Sequence, residues 1–472
     1  MMSIGHGGPE ATGRLEWPSA AIVLEALSQF VPPATIRSVL RQTGRQSQRI
    51  RRLPAEATVW LVIAIGIWTD LDIPAIWRQV VGTLRALWLV VANCRAPSKS
   101  ALSQARTRLG PRPLRQLFLQ TAGPIARDQT RGAFYKGLRL MTIDGVTFDM
   151  PDTTANVAAF GRPRTRRNGE TVEGGYPQLH AILLAEVGTH TICEALIKPG
   201  KRNEYPVAGH LLAKAPPGSL VLQDRGFYGY RQFADAARLG VHLLGRVSAN
   251  IVFERTRTLC DGSYLATIYP SQQDQRHQTN GLTVRVIEYT LDEPNRPGHE
   301  ERHRLATTLL DAQAYPAEEL PVLYHDRWEI EIGNDEMKTH QLNRPVSLRS
   351  RTPCGVLQEI YGVLLAYNAV RVLMHEAALA VDVDPRRLSF IHAVRVIRET
   401  APLMRAAPPW QLPRLYAAMI QHIAQGRLPA RDNRINPRVV KKTVSKFPKK
   451  RPEHYHVPQP RWPFEDSVKI LK

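Results

Sequence analysis

The sequence predicts an α/β protein: a mixed sheet flanked by helices, carrying a β-rich insertion and preceded by an all-helical domain. Three observations lead there. Apolar residues recur every three or four positions from about Pro18 to Arg127; short strand-length apolar runs begin near Leu138; helical periodicity lapses from Ser248 to Asp311.

At 472 residues, with 43% hydrophobic residues, the chain can bury several cores, so disorder is not the starting assumption. Residues 1–17 are rich in Gly and polar residues, read as a disordered N-terminus without a signal peptide. The helical domain spans 18–130, with breaks at prolines such as Pro54, Pro97 and Pro111. Within it, Ser98 can cap a helix that projects Lys99, Gln104, Arg106 and Arg108. Such a helix could enter a major groove or grip phosphates, and a merely solvated face is the alternative.

The central unit is expected over 138–379. Leu140 to Ile143 reads as its first strand, and Leu179–Ala185 and Thr191–Ile197 as a hairpin turning at Val187-Gly188-Thr189. A helix from Glu204 to Lys214, capped by Asn203, leads to the strand Ser219–Leu222; a helix Tyr230–Leu239 leads to the strand Val241–Val247. This order, three strands, helix, strand, helix, strand, is that of the ribonuclease-H-like fold, whose neighbouring strand ends can gather carboxylates around metal ions. In the insertion, 248–311, Thr283–Thr290 and Leu305–Leu310 alternate as strands do. Helices follow over Ala317–Asn343 and Gly355–Leu379, and again in a region 380–426. Residues 427–472 hold 13 Lys or Arg against 4 acidic residues and many prolines, and read as an extended basic tail.

Charge narrows the function. With 63 Lys plus Arg against 42 Asp plus Glu, the formal charge of +21 attracts polyanions, and nucleic acid is the leading partner class. No apolar stretch of roughly 20 residues stands out as a membrane span; Val59–Trp68 is about half that length, and Leu87–Ala92 sits near Arg85. A cytoplasmic protein follows. Cys94, Cys193, Cys260 and Cys354 are scattered without ligand spacing, and are read as buried free thiols rather than a zinc site or disulfides.

The chemistry-bearing residues are acidic. Asp144 follows the run Leu140–Ile143 and precedes Gly145; Asp224 follows Ser219–Gln223 and precedes Arg225-Gly226. An Asp before Gly at a strand end is usually a turn, so neither decides alone. On a helix advancing about 100° per residue from Tyr324, Arg327 falls near about 300°, Glu331 near about 340° and Lys338 near about 320°. A carboxylate between two cations and a phenol suits a metal beside phosphates. An Arg327–Glu331 pair on a solvated face is the alternative, and Gly333 inside the helix suggests a close approach.

Other carboxylates compete. Asp149 falls on the opposite face of a continuous strand from Asp144, Glu329 and Glu336 fall away from the stripe, Asp335 falls near it, and Glu204 could assist. Arg162, Arg164, Arg166 and Arg167 lie in a loop that could track a DNA backbone or be solvated. The tail, with Lys441, Lys442, Lys449, Lys450 and Arg451, would add salt-dependent affinity without reading sequence.

Tyr324-x2-Arg327-x3-Glu331-x6-Lys338 matches the YREK signature, and the sequence resembles the DDE transposases of bacterial insertion sequences that carry it. Asp144-Gly145 and Asp224-Arg225-Gly226-Phe227 resemble the family's two aspartate motifs in the correct order, and the 107 residues from Asp224 to Glu331 leave room for the family's β-rich insertion. The resemblance implies that Asp144, Asp224 and Glu331 hold Mg²⁺, or Mn²⁺ in its place. Oxygen ligands suit these ions, and two of them about 4 Å apart can serve both attacking and leaving oxygens. It also implies that Tyr324, Arg327 and Lys338 grip phosphates, that the DNA partners are the element's terminal inverted repeats and a target, and that two ends pair in a homodimer. A decayed or domesticated DNA-binding protein, or a plain metal-dependent nuclease, are the competing functions.

Overall fold

In the computed structural model, residues 30–47, 53–84, 97–167, 170–200, 205–248, 250–296, 298–342, 347–429 and 460–471 are described. The first 29 residues, Leu87–Ala92, Cys94, Asn203, Glu204 and most of the basic tail lie outside them.

Five helices come first: α1 (Pro33–Gln42), α2 (Ala55–Ile67), α3 (Ile73–Leu84), α4 (Lys99–Leu109) and α5 (Arg112–Thr121). Every residue of α2 from Ala57 to Ile67 is buried, as expected of a helix apolar on all sides. Strands then take over: β1 (Phe134–Tyr135) and β2 (Leu138–Asp149), a short helix α6 (Thr154–Phe160), the ribbon β3 (Arg164–Arg167) and β4 (Glu170–Glu173), and the hairpin β5 (Gln178–Glu186) and β6 (Ile192–Pro199). After α7 (Tyr205–Leu212) come β7 (Ser219–Gln223), α8 (Tyr230–Leu239) and β8 (His242–Arg246). The strand order β6-β5-β2-β7-β8, with β2, β7 and β8 parallel and the first three antiparallel, is the predicted mixed sheet.

The insertion holds β9 (Arg255–Thr258), β10 (Tyr264–Ile268), α9 (Gln272–His277), β11 (Leu282–Leu291) and β12 (His303–Thr307). It does not form a separate layer. β12 pairs antiparallel with β8, and β11, β10 and β9 continue outward, so the insertion adds four strands to the same sheet, which with β1 and β13 has eleven among the described residues.

The chain then runs through α10 (Glu319–His325), α11 (Trp328–Asp335), a wide π turn (Glu336–Gln341), α12 (Pro353–Ala380), α13 (Phe390–Ala406) and α14 (Leu412–Gln425), and ends in β13 (Val468–Ile470). Three expectations are corrected here. The sequence showed no apolar stretch long enough to cross a membrane, yet by length and composition α12 could; 78% of its most apolar window is buried inside the protein. It is the central core helix, and α2 crosses it closely: a Cβ on Gly66 would stand 2.8 Å from Ala366 Cβ, and one on Gly362 2.5 Å from the Val62 carbonyl. The early helices therefore share one hydrophobic core with α12–α14 and one face of β2, rather than forming a core of their own. The basic tail is likewise not extended throughout, because β13 pairs with β11 and Phe464 stacks on His325 with ring centres 4.2 Å apart.

Candidate active site

β2 runs past Ile143, where the sequence placed its end, because β5 covers its second half from Asp144 opposite Leu183 to Asp149 opposite Gln178. Asp144 therefore lies inside a strand, and the local turn expected at Asp144-Gly145 does not form. Relative to β7, however, Asp144 is still at an end. The last parallel pair sets Ile143 opposite Gln223, so Asp144 and Asp224 are each the next residue along neighbouring strands. Alternation puts Asp144 on the face of Leu140, and Asp224 on that of Leu220 and Leu222, the same side of the sheet. Asp224 also caps a short turn, its Oδ1 accepting from the Arg225 amide at 2.7 Å.

The helix expected over 317–343 is not uniform. Between α10 and α11 the amides of Arg327, Glu329 and Ile330 bond three residues back, to Tyr324, Asp326 and Arg327, which tightens the turn without redirecting it. Arg386 reaches Asp326 at 3.3 Å at this tightened point. Beyond α11 the π turn widens the spiral, so the even 100° spacing fails in both directions, and the half-buried Lys338 sits on that turn.

α11 is nonetheless two-faced. Toward Asp144 it presents Asn334, whose Nδ2 donates to Asp144 Oδ2 at 3.0 Å. One turn earlier Glu331 accepts from Arg327 Nη2 at 2.9 Å, the four-residue pairing that the sequence left open. On the opposite side Glu329 meets His190 Nε2 at 2.9 Å, and Glu336 is buried against Tyr367 Oη at 2.8 Å and Arg371 at 3.3 Å. Gly333 gives the close approach: a Cβ there would stand 3.1 Å from Tyr367 Oη. Asp335 is exposed and engaged by Thr339 and His340 of its own turn. Asp149 accepts from Gln178 at 2.9 Å.

Tyr324 and Arg327 are both buried, and the charge of Arg327 stands against desolvation. Burial opposes that charge, but Tyr324, Asp224 and Glu331 outweigh it and raise the pKa of Arg327. Burial likewise raises the Tyr324 phenol well above its usual range. Asp224 acts on both groups, which places β7's end beside the α10–α11 junction.

Among the described residues no three His, Cys, Asp or Glu side chains are grouped closely enough to hold a metal ion. The donor chemistry nevertheless fits one. All three candidate ligands are carboxylates, the hard oxygen donors a small divalent cation takes. Around them Tyr324 Oη, Arg327 Nε and Asn334 Oδ1 are buried without a hydrogen-bond partner, unmet polar groups that a bound ligand would relieve. Arg327 engages Oε1 of Glu331, and a carboxylate keeps lone pairs for a cation beside such a bond.

Residues 21–119 match the family described as insertion element 4 transposase N-terminal, and residues 135–369 match the transposase DDE domain. The transposase InsG for insertion sequence element IS4 of Escherichia coli (strain K12) is 31% identical over 431 residues, covering 90% of this chain and 93% of its own length. This chain belongs to the IS4-family DDE transposases. A putative transposase InsZ of the same organism is 29% identical over 211 residues, 45% of this chain and 65% of its own. A piggyBac transposase synaptic complex with hairpin DNA aligns over 85% of each chain at 11% identity and a TM-score of 0.41.

As a DDE transposase the protein acts on DNA, and the family works with divalent metal ions. Its basic residues divide sharply. Lys99 is exposed at the start of α4, whose Ser98 cap accepts from the Ala101 amide at 3.2 Å as predicted. Arg106 was expected to project from that helix and does not. It is buried, donating to Gln358, Ser350 and the Gly355 carbonyl, because its position faces α12. The Arg162–Arg167 stretch is no loop but the entry to the β3–β4 ribbon. Arg162 is bidentate to Asp152 and Arg164 pairs with Glu173, so each already has an acid; the side chains of Arg166 and Arg167 lie outside the described residues. Cys193 and Cys354 are half-buried free thiols, whereas Cys260 is exposed, against expectation.

One residue of this site, Asn334, escaped sequence reasoning, although it carried a usable signal, since a residue three after Glu331 shares its helix face.

Proposed function

We propose that Asp144, Asp224 and Glu331 hold the catalytic Mg²⁺ ions of this transposase, two in number, with Mn²⁺ able to replace them. When bound, the ions supply positive charge that favours ionised oxygen on both the attacking and the leaving side of the phosphorus. The observation that carries this reading is the Asn334–Asp144 hydrogen bond, which sets the helix of Glu331 over the face of the sheet that bears the aspartates.

The chain first nicks the element's end. Water attacks the phosphorus, the P–O3′ bond breaks, and the products are a 3′-hydroxyl and a 5′-phosphate, with the water's proton passing to solvent. The freed 3′-hydroxyl then attacks a target phosphodiester, forming one P–O bond as the target's own 3′-oxygen departs and takes a proton. Arg327 binds a phosphate oxygen beside Glu331, and Tyr324 and Lys338 bind neighbouring phosphate oxygens. Lys99 adds sequence-independent affinity. Specific binding is to the terminal inverted repeats, and a homodimer pairs two ends.

The test is cleavage and joining of a labelled duplex that carries the element's terminal repeat, with Mg²⁺ or Mn²⁺, for wild type and for Asp144→Ala, Asp224→Ala and Glu331→Ala. Loss of end-specific nicking in all three with binding retained is the expected result. Normal cutting by Glu331→Ala would remove the third carboxylate from the assignment; a wild type that binds the repeat and never cuts would make the protein a DNA-binding relic.

A further inference from the structure

Asn334 lies three residues after Glu331 and is 9% exposed. Its Nδ2 donates to Asp144 Oδ2 at 3.0 Å. An ionised carboxylate accepts and cannot donate, so this bond fixes which end of the amide carries the hydrogens. The other end, Oδ1, is then directed elsewhere, and there it is buried without a partner. A buried acceptor left bare costs free energy, and no described group of the chain meets this one.

We infer that Asn334 is a positioning residue for the first carboxylate: its N–H group holds Asp144 in one orientation, and its Oδ1 accepts from a water in the hydration shell of the divalent ion. The inference rests on Asp144 being a metal ligand. A neutral amide suits the task. A carboxylate at this position would repel Asp144 across the 3.0 Å contact, and an ammonium or guanidinium would neutralise Asp144 and compete with the cation. Gln223 offers no equivalent, because alternation turns it to the opposite face of β7, where its side chain lies over Gly245 of β8.

The test is Mn²⁺ uptake, read as loss of the free-ion resonance signal, by the full-length chain bound to a duplex already cut at the element's end, so that no hydrolysis occurs. Asn334→Leu removes both ends of the amide dipole at similar volume, and is expected to weaken Mn²⁺ binding by roughly 10- to 100-fold, the range typical of residues that orient a metal ligand. Asn334→Gln, which keeps the amide, is expected to recover part of the loss. Without metal, Asn334→Leu is expected to melt within about 3 °C of wild type, since it deletes an unmet acceptor along with the bond.

Binding by Asn334→Leu within about twofold of wild type would overturn the inference, being far short of the effect of an orienting residue. So would weak binding joined to a large drop in metal-free melting that Asn334→Gln does not restore, which would mark a scaffold residue. Asp144→Ala separates the two levels. If it takes up Mn²⁺ like wild type, the metal assignment of Asp144 fails; if it loses uptake while Asn334→Leu keeps it, only the role of Asn334 fails.

Discussion

Arg327 Nη2 reaches Glu331 Oε1 at 2.9 Å one helical turn away, with the guanidinium 5% and the carboxylate 33% exposed. The cation is thus the buried partner and the acid the accessible one, an arrangement that leaves Glu331 able to turn outward while Arg327 stays. Removing Arg327 has two opposite effects. Arg327→Ala deletes a positive charge that competes with metal ions for Glu331, so the Mg²⁺ concentration giving half-maximal cleavage should fall. If Arg327 grips the scissile phosphate as proposed, the rate at saturating Mg²⁺ should also drop by about 10²- to 10³-fold. Single-turnover cleavage across a Mg²⁺ titration reads both. An unchanged saturating rate would confine Arg327 to a structural role.

Arg106 belongs to the scaffold, and its substitution should separate stability from DNA affinity. Its guanidinium donates to Gln358, Ser350 and a backbone carbonyl, and Gln358 returns a bond to the Arg106 carbonyl at 2.6 Å. Arg106→Ala leaves these acceptors unmet in the core and should destabilise the chain by roughly 2–4 kcal/mol in urea unfolding. The salt dependence of DNA binding should stay as in wild type, because no phosphate contact is lost. Lys99→Ala should do the reverse, leaving stability alone and flattening the salt slope.

These two residues show how far the sequence could be read. Asp144, Asp224 and Glu331 were picked out by strand ends and helix phase, which are local properties, although Asp144 lies within β2 and the π turn breaks the phase; the sheet order followed from the sequence of elements. Arg106 was misread because which face of an amphipathic helix meets α12 depends on packing, and an arginine with a buried polar partner looks like any surface arginine. The extension of β2 beyond Ile143 and the joining of the insertion to β8 were invisible for a related reason: both depend on which strand lies alongside, and pairing partners distant in sequence leave no local mark. The tightened turn at Asp326 meets Arg386, 60 residues on, at 3.3 Å.

The back of α11 should matter as much to stability as its front does to chemistry. Burial alone would raise the Glu336 carboxyl, but Arg371, His190 and Tyr367 outweigh it and bring it down to about 2. A depressed carboxylate pKa stabilises the fold above the ordinary value of about 4.5, and that stability is lost as pH falls toward 2. Glu336→Gln strips the charge at all pH and leaves Arg371, 1% exposed, without its counter-ion. A loss of about 3–5 kcal/mol at pH 7 is expected, with the deficit against wild type shrinking as acid protonates Glu336. A loss under about 1 kcal/mol would mean that Arg371 is satisfied by the Thr189 carbonyl it also meets, since breaking a true buried pair costs more.

His325 ties the chain's last strand to the helix of Tyr324. Its ring stacks on Phe464 at 4.2 Å with 11° between planes, and burial first, then the nearby Arg296, hold its pKa down to about 4. A histidine kept neutral by folding contributes stability that is complete above the unfolded value of about 6.5 and drains away as pH falls from there toward 4. Other acids titrate over the same interval, so the comparison must be with His325→Phe, which keeps a flat ring against Phe464 and cannot take a proton. Relative to wild type this variant should gain up to about 3 kcal/mol between pH 7 and pH 4, measured by urea unfolding at each pH. A difference that stays constant across the interval would show that His325 titrates alike in folded and unfolded chains, and that the stack with Phe464 is open to water.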